Sequence, residues 1–270
     1  MTLATPKLLD ALGESAREAG EAILQIVRQG FDVERKSDAS PVTVADRAAE
    51  AVILEALRSH APGVPVIAEE EVAAGRIPHH DGIFFLVDPL DGTKEFIRGG
   101  DDYTVNIGLV EHGQPVMGVI FAPATGHLHL GIADRGAWIE AGGPRRAIHC
   151  RDLGEERMAV ASKSHLSQAT VDYLEHAFGG HVPERASVGS SLKFCILAEG
   201  HADIYPRLSP TMEWDTAAGH AVLIGAGGRV DGPDGERLEY GKRAYFNPGF
   251  VATAGWKAPS IGHYMPSDAG

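Results

Sequence analysis

A layered fold of mixed class, α+β in its first half and α/β in its second, is what this sequence predicts, and three observations predict it. Two amphipathic stretches open the chain: residues 7–28 place Leu8, Leu12, Ala16, Ala19, Ile23 and Val27 at helical spacing, and residues 44–58 repeat the pattern. Short β-rich runs at 103–110, 115–121, 127–133 and 137–139 follow, divided by His112-Gly113, Pro123-Ala-Thr-Gly126 and Asp134-Arg-Gly136, which reads as an antiparallel meander. From Met158 onward, strand-like runs alternate with helical stretches at 165–178, 192–199 and 216–224, the order of an α/β unit. The join falls near Arg151, so residues 1–150 are expected as one subdomain and 151–270 as a second. At 270 residues the chain buries a sizeable core and is slightly long for one domain.

Between the first two helices, Lys36-Ser-Asp-Ala-Ser-Pro41 is a run of turn formers, expected as a surface loop that could also close a site. Val64-Pro-Val-Ile-Ala68 then reads as a short strand running into Glu69, Glu70 and Glu71. A glutamate run of this kind is also an ordinary solvated helix start. The segment Ile83-Phe-Phe-Leu-Val-Asp-Pro-Leu-Asp-Gly-Thr-Lys-Glu-Phe96 is a buried strand expected to stop at Asp88, because Pro89 cannot donate to a ladder. Gly92 permits close backbone approach, and Thr93 is expected to cap a helix. Asp88 and Asp91 supply hard oxygen donors of the kind Mg²⁺ prefers, beside helix-start N–H groups that attract phosphate. A turn in which both aspartates only accept backbone hydrogen bonds has the same local pattern. An EF-hand loop does not, since its ligand spacing is absent. If the two acid-tipped strands are neighbours in one sheet, Glu69 lies beside Asp88. Asp215, in Thr211-Met-Glu-Trp-Asp-Thr-Ala-Ala-Gly-His-Ala-Val-Leu-Ile224, stands at the mouth of a further helix as a cap or a ligand.

Four segments in order, Pro41-Val-Thr-Val-Ala-Asp46, Ile67-Ala-Glu-Glu-Glu-Val-Ala-Ala-Gly75, Asp88-Pro-Leu-Asp-Gly-Thr-Lys-Glu-Phe96 and Trp214-Asp-Thr-Ala-Ala-Gly219, resemble the inositol monophosphatase-like, lithium-sensitive metal phosphatases. The resemblance spans nearly the whole chain. It implies the layered α-β-α-β-α sandwich of the inositol monophosphatase / fructose bisphosphatase fold. It also implies that Glu69, Asp88 and the Leu90 carbonyl hold one Mg²⁺, and that Asp88, Asp91 and Asp215 hold a second, with two or three ions per site. Two ions roughly 3.5–4 Å apart clamp the attacking and leaving oxygens of an in-line displacement. By the same resemblance Thr93 activates the water with Glu69, Asp46 orients Thr93, and the Gly92 and Thr93 N–H groups cradle the phosphate.

Lys94-Glu-Phe96, Ser187-Val-Gly-Ser-Ser-Leu-Lys193 and Ile204-Tyr-Pro-Arg207 look like the bacterial CysQ-type 3'(2'),5'-bisphosphate nucleotidase branch, which implies hydrolysis of 3'-phosphoadenosine 5'-phosphate to AMP in sulfur metabolism. A bisphosphorylated substrate calls for cations beyond the metals, for which Lys94, Lys193 and Arg207 are candidates. Asp91, Gly92, Thr93, Ser190, Ser191 and Asp215 complete the expected substrate-binding set. Packing of the long stems and capping by the serine pair are the structural alternatives. An inositol- or sugar-phosphate phosphatase shares the same metal apparatus, and a non-catalytic nucleotide or metal sensor is the alternative outside catalysis.

A net charge of −13 with no basic patch argues against a nucleic-acid polymer as partner, whereas bound Mg²⁺ inverts the sign of a small site locally. Cys150 and Cys195 are far apart in sequence and no stretch has the length of a signal or membrane span, so free buried thiols in a cytoplasmic protein are expected. The resemblance leaves open peripheral attachment to the cytoplasmic face of the inner membrane, and implies a monomer or homodimer. Thirteen histidines show no zinc-ligand spacing. Gly225-Ala-Gly-Gly228 follows a helix, which fits a C-cap better than a dinucleotide loop. Ser162-Lys-Ser-His165 lacks the glycine elbow of a serine nucleophile.

Overall fold

The computed structural model describes residues 2–30, 33–35, 41–162, 167–181 and 183–266. Most of the expected 36–41 loop, and Lys163 to His165 of the serine-rich segment, lie outside these residues. The chain runs α1 (Pro6–Gln29), β1 (Val33–Arg35), β2 (Pro41–Thr43), α2 (Val44–His60), β3 (Val66–Ala68), α3 (Glu69–Ala73), β4 (Ile83–Asp91) and α4 (Thr93–Ile97). The meander follows as β5 (Thr104–Glu111), β6 (Gln114–Ala122), β7 (His127–Ile132), β8 (Gly136–Glu140) and β9 (Arg146–Ile148), the last strand unforeseen in the sequence. The second half holds β10 (Met158–Ser162), α5 (Gln168–Ala177), β11 (Glu184–Val188), α6 (Leu192–Ala198), β12 (Ile204–Arg207), β13 (Thr211–Met212), α7 (Ala217–Gly225), β14 (Arg229–Asp231), β15 (Phe246–Asn247) and β16 (Phe250–Thr253).

Side-chain alternation along the strands stacks these elements into five layers. Phe85 and Val87 of β4 bury against α1 and α2, joined by Leu12, Ala16 and Ile53, while their neighbours Phe84 and Leu86 face the opposite way into a core shared with α6 and α7. The seven-stranded sheet β3-β4-β5-β6-β7-β8-β9 therefore lies between two helical layers. The five-stranded sheet β11-β10-β12-β16-β14 repeats the device: Val160, Tyr205 and Phe250 turn toward α6 and α7, and Ala159, Ile204 and Val251 turn toward Tyr173 and Leu174 of α5. Strands covered on both faces carry continuous apolar runs, which is why β4 reads as one.

A stripe of glycine seats the middle helix. Gly108, Gly118 and Gly131 stand opposite one another on β5, β6 and β7. A Cβ at Gly118 would meet Ala218 O at 2.1 Å, and one at Gly131 would meet Val222 Cα at 2.5 Å. The helix α7, rich in Ala and Gly, thus lies against bare sheet backbone. The turn just before it, Glu213–Asp215, is carried to the carboxyl end of β4.

Two local expectations need correction. β4 does not stop at Asp88 but continues through Pro89 to Asp91: it pairs with β5 at Asp88↔Asn106 and next at Asp91↔Thr104, so three steps on one strand oppose two on the other. The bulge leaves Pro89 without a ladder bond to supply. Thr93 is not the helix cap either. Gly92 occupies that place at φ 94°, where a Cβ would meet Asp102 O at 2.6 Å, and Thr93 is the first helical residue.

Candidate active site

The parallel pairing of β3 with β4 sets Ala68 beside Val87, so the next residues, Glu69 and Asp88, fall side by side, Glu69 as β3 ends and Asp88 still within β4. Glu69 opens α3. Asp88 is 2% exposed, and its Oδ1 accepts the Leu90 N–H at 3.0 Å. Burial, and then the charges of Glu69, Asp91 and Asp215, push its carboxyl well above the usual carboxylate range. Asp91 is pushed up to about 6 by burial and by Asp215, against the opposing pull of Lys193, Arg207 and the Ser191 N–H.

Asp46 reaches the same corner from the first turn of α2. Its Oδ2 accepts the backbone N–H of Thr43 at 2.8 Å and the Thr43 hydroxyl at 2.7 Å. Burial holds its pKa up, and the two Thr43 bonds oppose the shift. The threonine-x-x-aspartate spacing is a capping signature that the sequence carries openly. The single hydroxyl hydrogen of Thr93 has two acceptors in reach, Leu90 O at 3.1 Å and Asp46 Oδ1 at 3.4 Å. The backbone oxygen is the nearer and keeps a second lone pair free.

Beside this corner lies a cleft of about 140 Å³ in which both halves of the chain meet. The first half of the chain contributes Asp91, Gly92 and Lys94 to its lining, and the second half Ser190, Ser191, Lys193, Arg207 and Asp215. Asp215 closes its own turn, Oδ2 accepting the Thr211 hydroxyl and the Met212 N–H. Lys193 is buried on α6, donating to the Val188 and Ser190 carbonyls with its ammonium 5.3 Å from the Tyr205 ring centre. Ser190 takes a left-handed φ of 46°, and Gly189 N donates to Asp102 at 3.0 Å. The Ser191 hydroxyl, expected to bind substrate and alternatively to cap α6, is engaged by Asn106 at 2.7 Å and Thr104 at 2.8 Å and makes no side-chain cap, which gives it a loop-holding part. Arg207 donates to Ser209 O at 3.4 Å and Pro210 O at 3.2 Å. Asp102, Thr104 and Asn106 were not singled out in the sequence; they are ordinary strand or loop residues whose part is set by distant partners.

The donor set fits a hard cation. Asp88 is enclosed, and the charged groups that act on it most strongly among the described residues are three carboxylates, an arrangement that a divalent ion with oxygen ligands neutralises. Among the described residues, no three acidic, imidazole or thiol groups converge on one point at ligating distance. The carboxylates are turned instead toward backbone and hydroxyl donors, as Asp88 is to Leu90 N and Asp215 to Thr211. Both cysteines are free, Cys195 buried and Cys150 half-buried, and burial pushes the Cys150 thiol up to about 12. No described helix is long and apolar enough to cross a membrane.

The model of the inositol monophosphatase family matches residues 6–263. The chain is 45% identical over 249 residues to the 3'(2'),5'-bisphosphate nucleotidase CysQ of Salmonella typhimurium, covering 91% of this chain and 99% of that protein. It is also 45% identical over 246 residues to the Escherichia coli K12 protein of the same name, covering 90% and 98%. The crystal structure of CysQ from Bacteroides thetaiotaomicron superposes with a TM-score of 0.79 at 36% identity, covering 94% of this chain and all of that one.

Proposed function

Because this chain belongs to the inositol monophosphatase family, we propose that it is a 3'(2'),5'-bisphosphate nucleotidase, hydrolysing 3'-phosphoadenosine 5'-phosphate to AMP and phosphate. The observation that carries the reading is the 45% identity that extends over 99% of a curated nucleotidase. The cleft is consistent with it, since both acidic groups that can hold cations and basic side chains that can meet further phosphate line it, as a substrate with two phosphates requires.

In this reading Glu69, Asp88, the Leu90 carbonyl, Asp91 and Asp215 hold two or three Mg²⁺, which supply charge neutralisation and a more acidic water. Thr93 orients the attacking water and passes a proton toward Asp46, the acceptor 3.4 Å from its hydroxyl. Glu69 assists from the neighbouring strand end. The water oxygen bonds to phosphorus as the bond from phosphorus to the ribose oxygen breaks; that oxygen takes a proton from solvent, and the proton passed to Asp46 returns to solvent. The N–H groups of Gly92 and Thr93 hold the phosphate oxygens. Lys94, Arg207 and Ser190 face the remainder of the substrate, and Lys193 contributes charge while holding the 188–190 loop. Residues 1–150 and 151–270 act as two subdomains meeting at the cleft.

Phosphate release is the test: the protein with Mg²⁺ is given 3'-phosphoadenosine 5'-phosphate, inositol 1-phosphate or fructose 1,6-bisphosphate at equal sub-saturating concentration. A large preference for the nucleotide is expected. Preference for inositol or sugar phosphate overturns the substrate while keeping the site, and binding without release from any of them overturns catalysis.

A further inference from the structure

Behind Asp215 lies a polar assembly that the reaction outlined above does not use. Glu213, two residues earlier on the same turn, is fully buried. Its carboxylate accepts three donors from one dipeptide: Gly241 N at 2.7 Å, Lys242 N at 3.0 Å and the Lys242 ammonium at 2.7 Å. The adjoining Thr216, which lines the cleft, is tied to the same segment at both ends. Its hydroxyl accepts from Tyr240 at 3.2 Å and from the Asn247 amide at 2.8 Å, and donates to Glu213 O at 3.1 Å. β13 and β15 add a backbone ladder between the turn and the segment.

The strap from 240 to 247 is itself strained. Ala244 and Tyr245 are consecutive left-handed residues at φ 58° and 55°, a conformation costly for side chains with a Cβ and maintained only where surroundings over-determine it. Burying a carboxylate such as Glu213 beside the half-exposed Lys242 is a poor way to gain stability alone, because well-packed apolar residues serve as well or better. It is a good way to fix one geometry.

We infer that Glu213 is a positioning residue: through its bonds to Gly241 and Lys242 it sets the turn that presents Asp215 to the cation site. The inference rests on the proposed part of Asp215 in that site. Groups that support a ligand from behind typically alter metal affinity by about tenfold or more when removed.

The test is a Mg²⁺ titration of the protein alone, read by calorimetry and by the fluorescence of Trp214 between the two acids, beside the Mg²⁺ dependence of phosphate release. Glu213→Gln, whose amide sets a donor against the strap N–H groups, is expected to raise the Mg²⁺ midpoint about tenfold, with kcat recovering at saturating Mg²⁺ and the substrate KM unchanged. Lys242→Met keeps the fold-critical carboxylate and is expected to move the midpoint the same way by about threefold; it decides the matter if Glu213→Gln does not fold. A lowered melting temperature with an unmoved midpoint overturns the inference. Asp215→Asn is the reference: if it also leaves the midpoint unmoved, the failure belongs to the assignment of Asp215, and if it shifts the midpoint while the other two do not, the failure belongs to Glu213.

Discussion

Asp88 and Asp203 are the same residue, equally removed from water, and are treated in opposite ways. Asp203 is fully buried and fully satisfied: Arg151 donates to it twice, at 2.8 and 2.6 Å, and Met158 N donates at 2.7 Å. Its bonds tie the segment after β9 to the starts of β10 and β12 in the second sheet. Among the described residues Asp88 has one backbone donor, and the charged groups that act on it most strongly are all acidic. The first arrangement is what folding favours. The second costs free energy, and the fold nevertheless holds Asp88 in it beneath a packed surface.

The largest expected effect breaks the comparison from the functional side. Asp88→Asn removes the repulsion and the candidate ligand together. Phosphate release is expected to fall by roughly three orders of magnitude, the upper scale for losing one group that stabilises developing charge. The melting temperature in chelator is expected to rise by about 2–4 °C, as about 1 kcal/mol does in a protein of this size. Unchanged turnover in metal-purified protein removes Asp88 from the site. Asp203→Asn is expected to do the reverse: chemical denaturation loses about 2–3 kcal/mol because Arg151 and the Met158 N–H face an amide, while kcat per folded molecule is retained. A drop in kcat that outruns the loss of folded protein erases the distinction between the two aspartates.

Much of the acidic corner was legible because its residues sit on local patterns, an apolar run tipped by Asp88 and a second tipped by Glu69, whereas Asp46 was reached only through the resemblance carried by residues 41–46. Parallel pairing of β3 with β4 joins them, and short parallel neighbours are a natural reading of two buried runs. The cleft wall was less legible. Whether Lys193 reaches solvent or folds back on the Val188 and Ser190 carbonyls depends on a loop held by Asp102 from another layer. The bulge at Pro89 was missed because proline ends a regular ladder but tolerates an irregular one. The glycine stripe had a visible sign, isolated glycines inside strand patterns, which mark close backbone approach. Its partner α7 lies about a hundred residues further on, and only the fold supplies that distance.

Arg207 lies between the two cases. Burial disfavours its charge, but Tyr205, Asp215 and Asp91 favour it more strongly, and two backbone oxygens hold its guanidinium. Arg207→Lys keeps the charge and loses the planar fork. The KM for 3'-phosphoadenosine 5'-phosphate is expected to rise about tenfold, some 1.4 kcal/mol, with little change for inositol 1-phosphate. An equal rise for both substrates assigns Arg207 to the common phosphate and not to the nucleotide.

The smallest effect sharpens the contrast with two buried histidines. His129 on β7 meets Glu199 at 2.8 Å, and Arg146 lies 3.4 Å from the same carboxylate. Burial disfavours its proton, but Cys195 and Glu199 outweigh that and push it up to about 10. His220 on α7 meets only the Tyr240 hydroxyl, and burial, with Arg237 and Lys242, pushes it down to about 3. A histidine in the unfolded chain titrates near 6.5. His129 binds its proton more tightly when folded, so its contribution is complete below about pH 6.5 and is lost as pH rises through about 10. For His220 the unfolded chain takes up the proton first, so stability is intact above about pH 6.5 and is lost as pH falls toward 3. In melting curves, the advantage of the parent over His129→Gln is expected to shrink from about pH 6 to about pH 10, and that over His220→Gln to shrink from about pH 7 to about pH 4, each by about 1 kcal/mol. A parallel pair of curves for His129→Gln means the ring is neutral beside Glu199, and the compensated charge that distinguishes this region from the acidic corner is then absent.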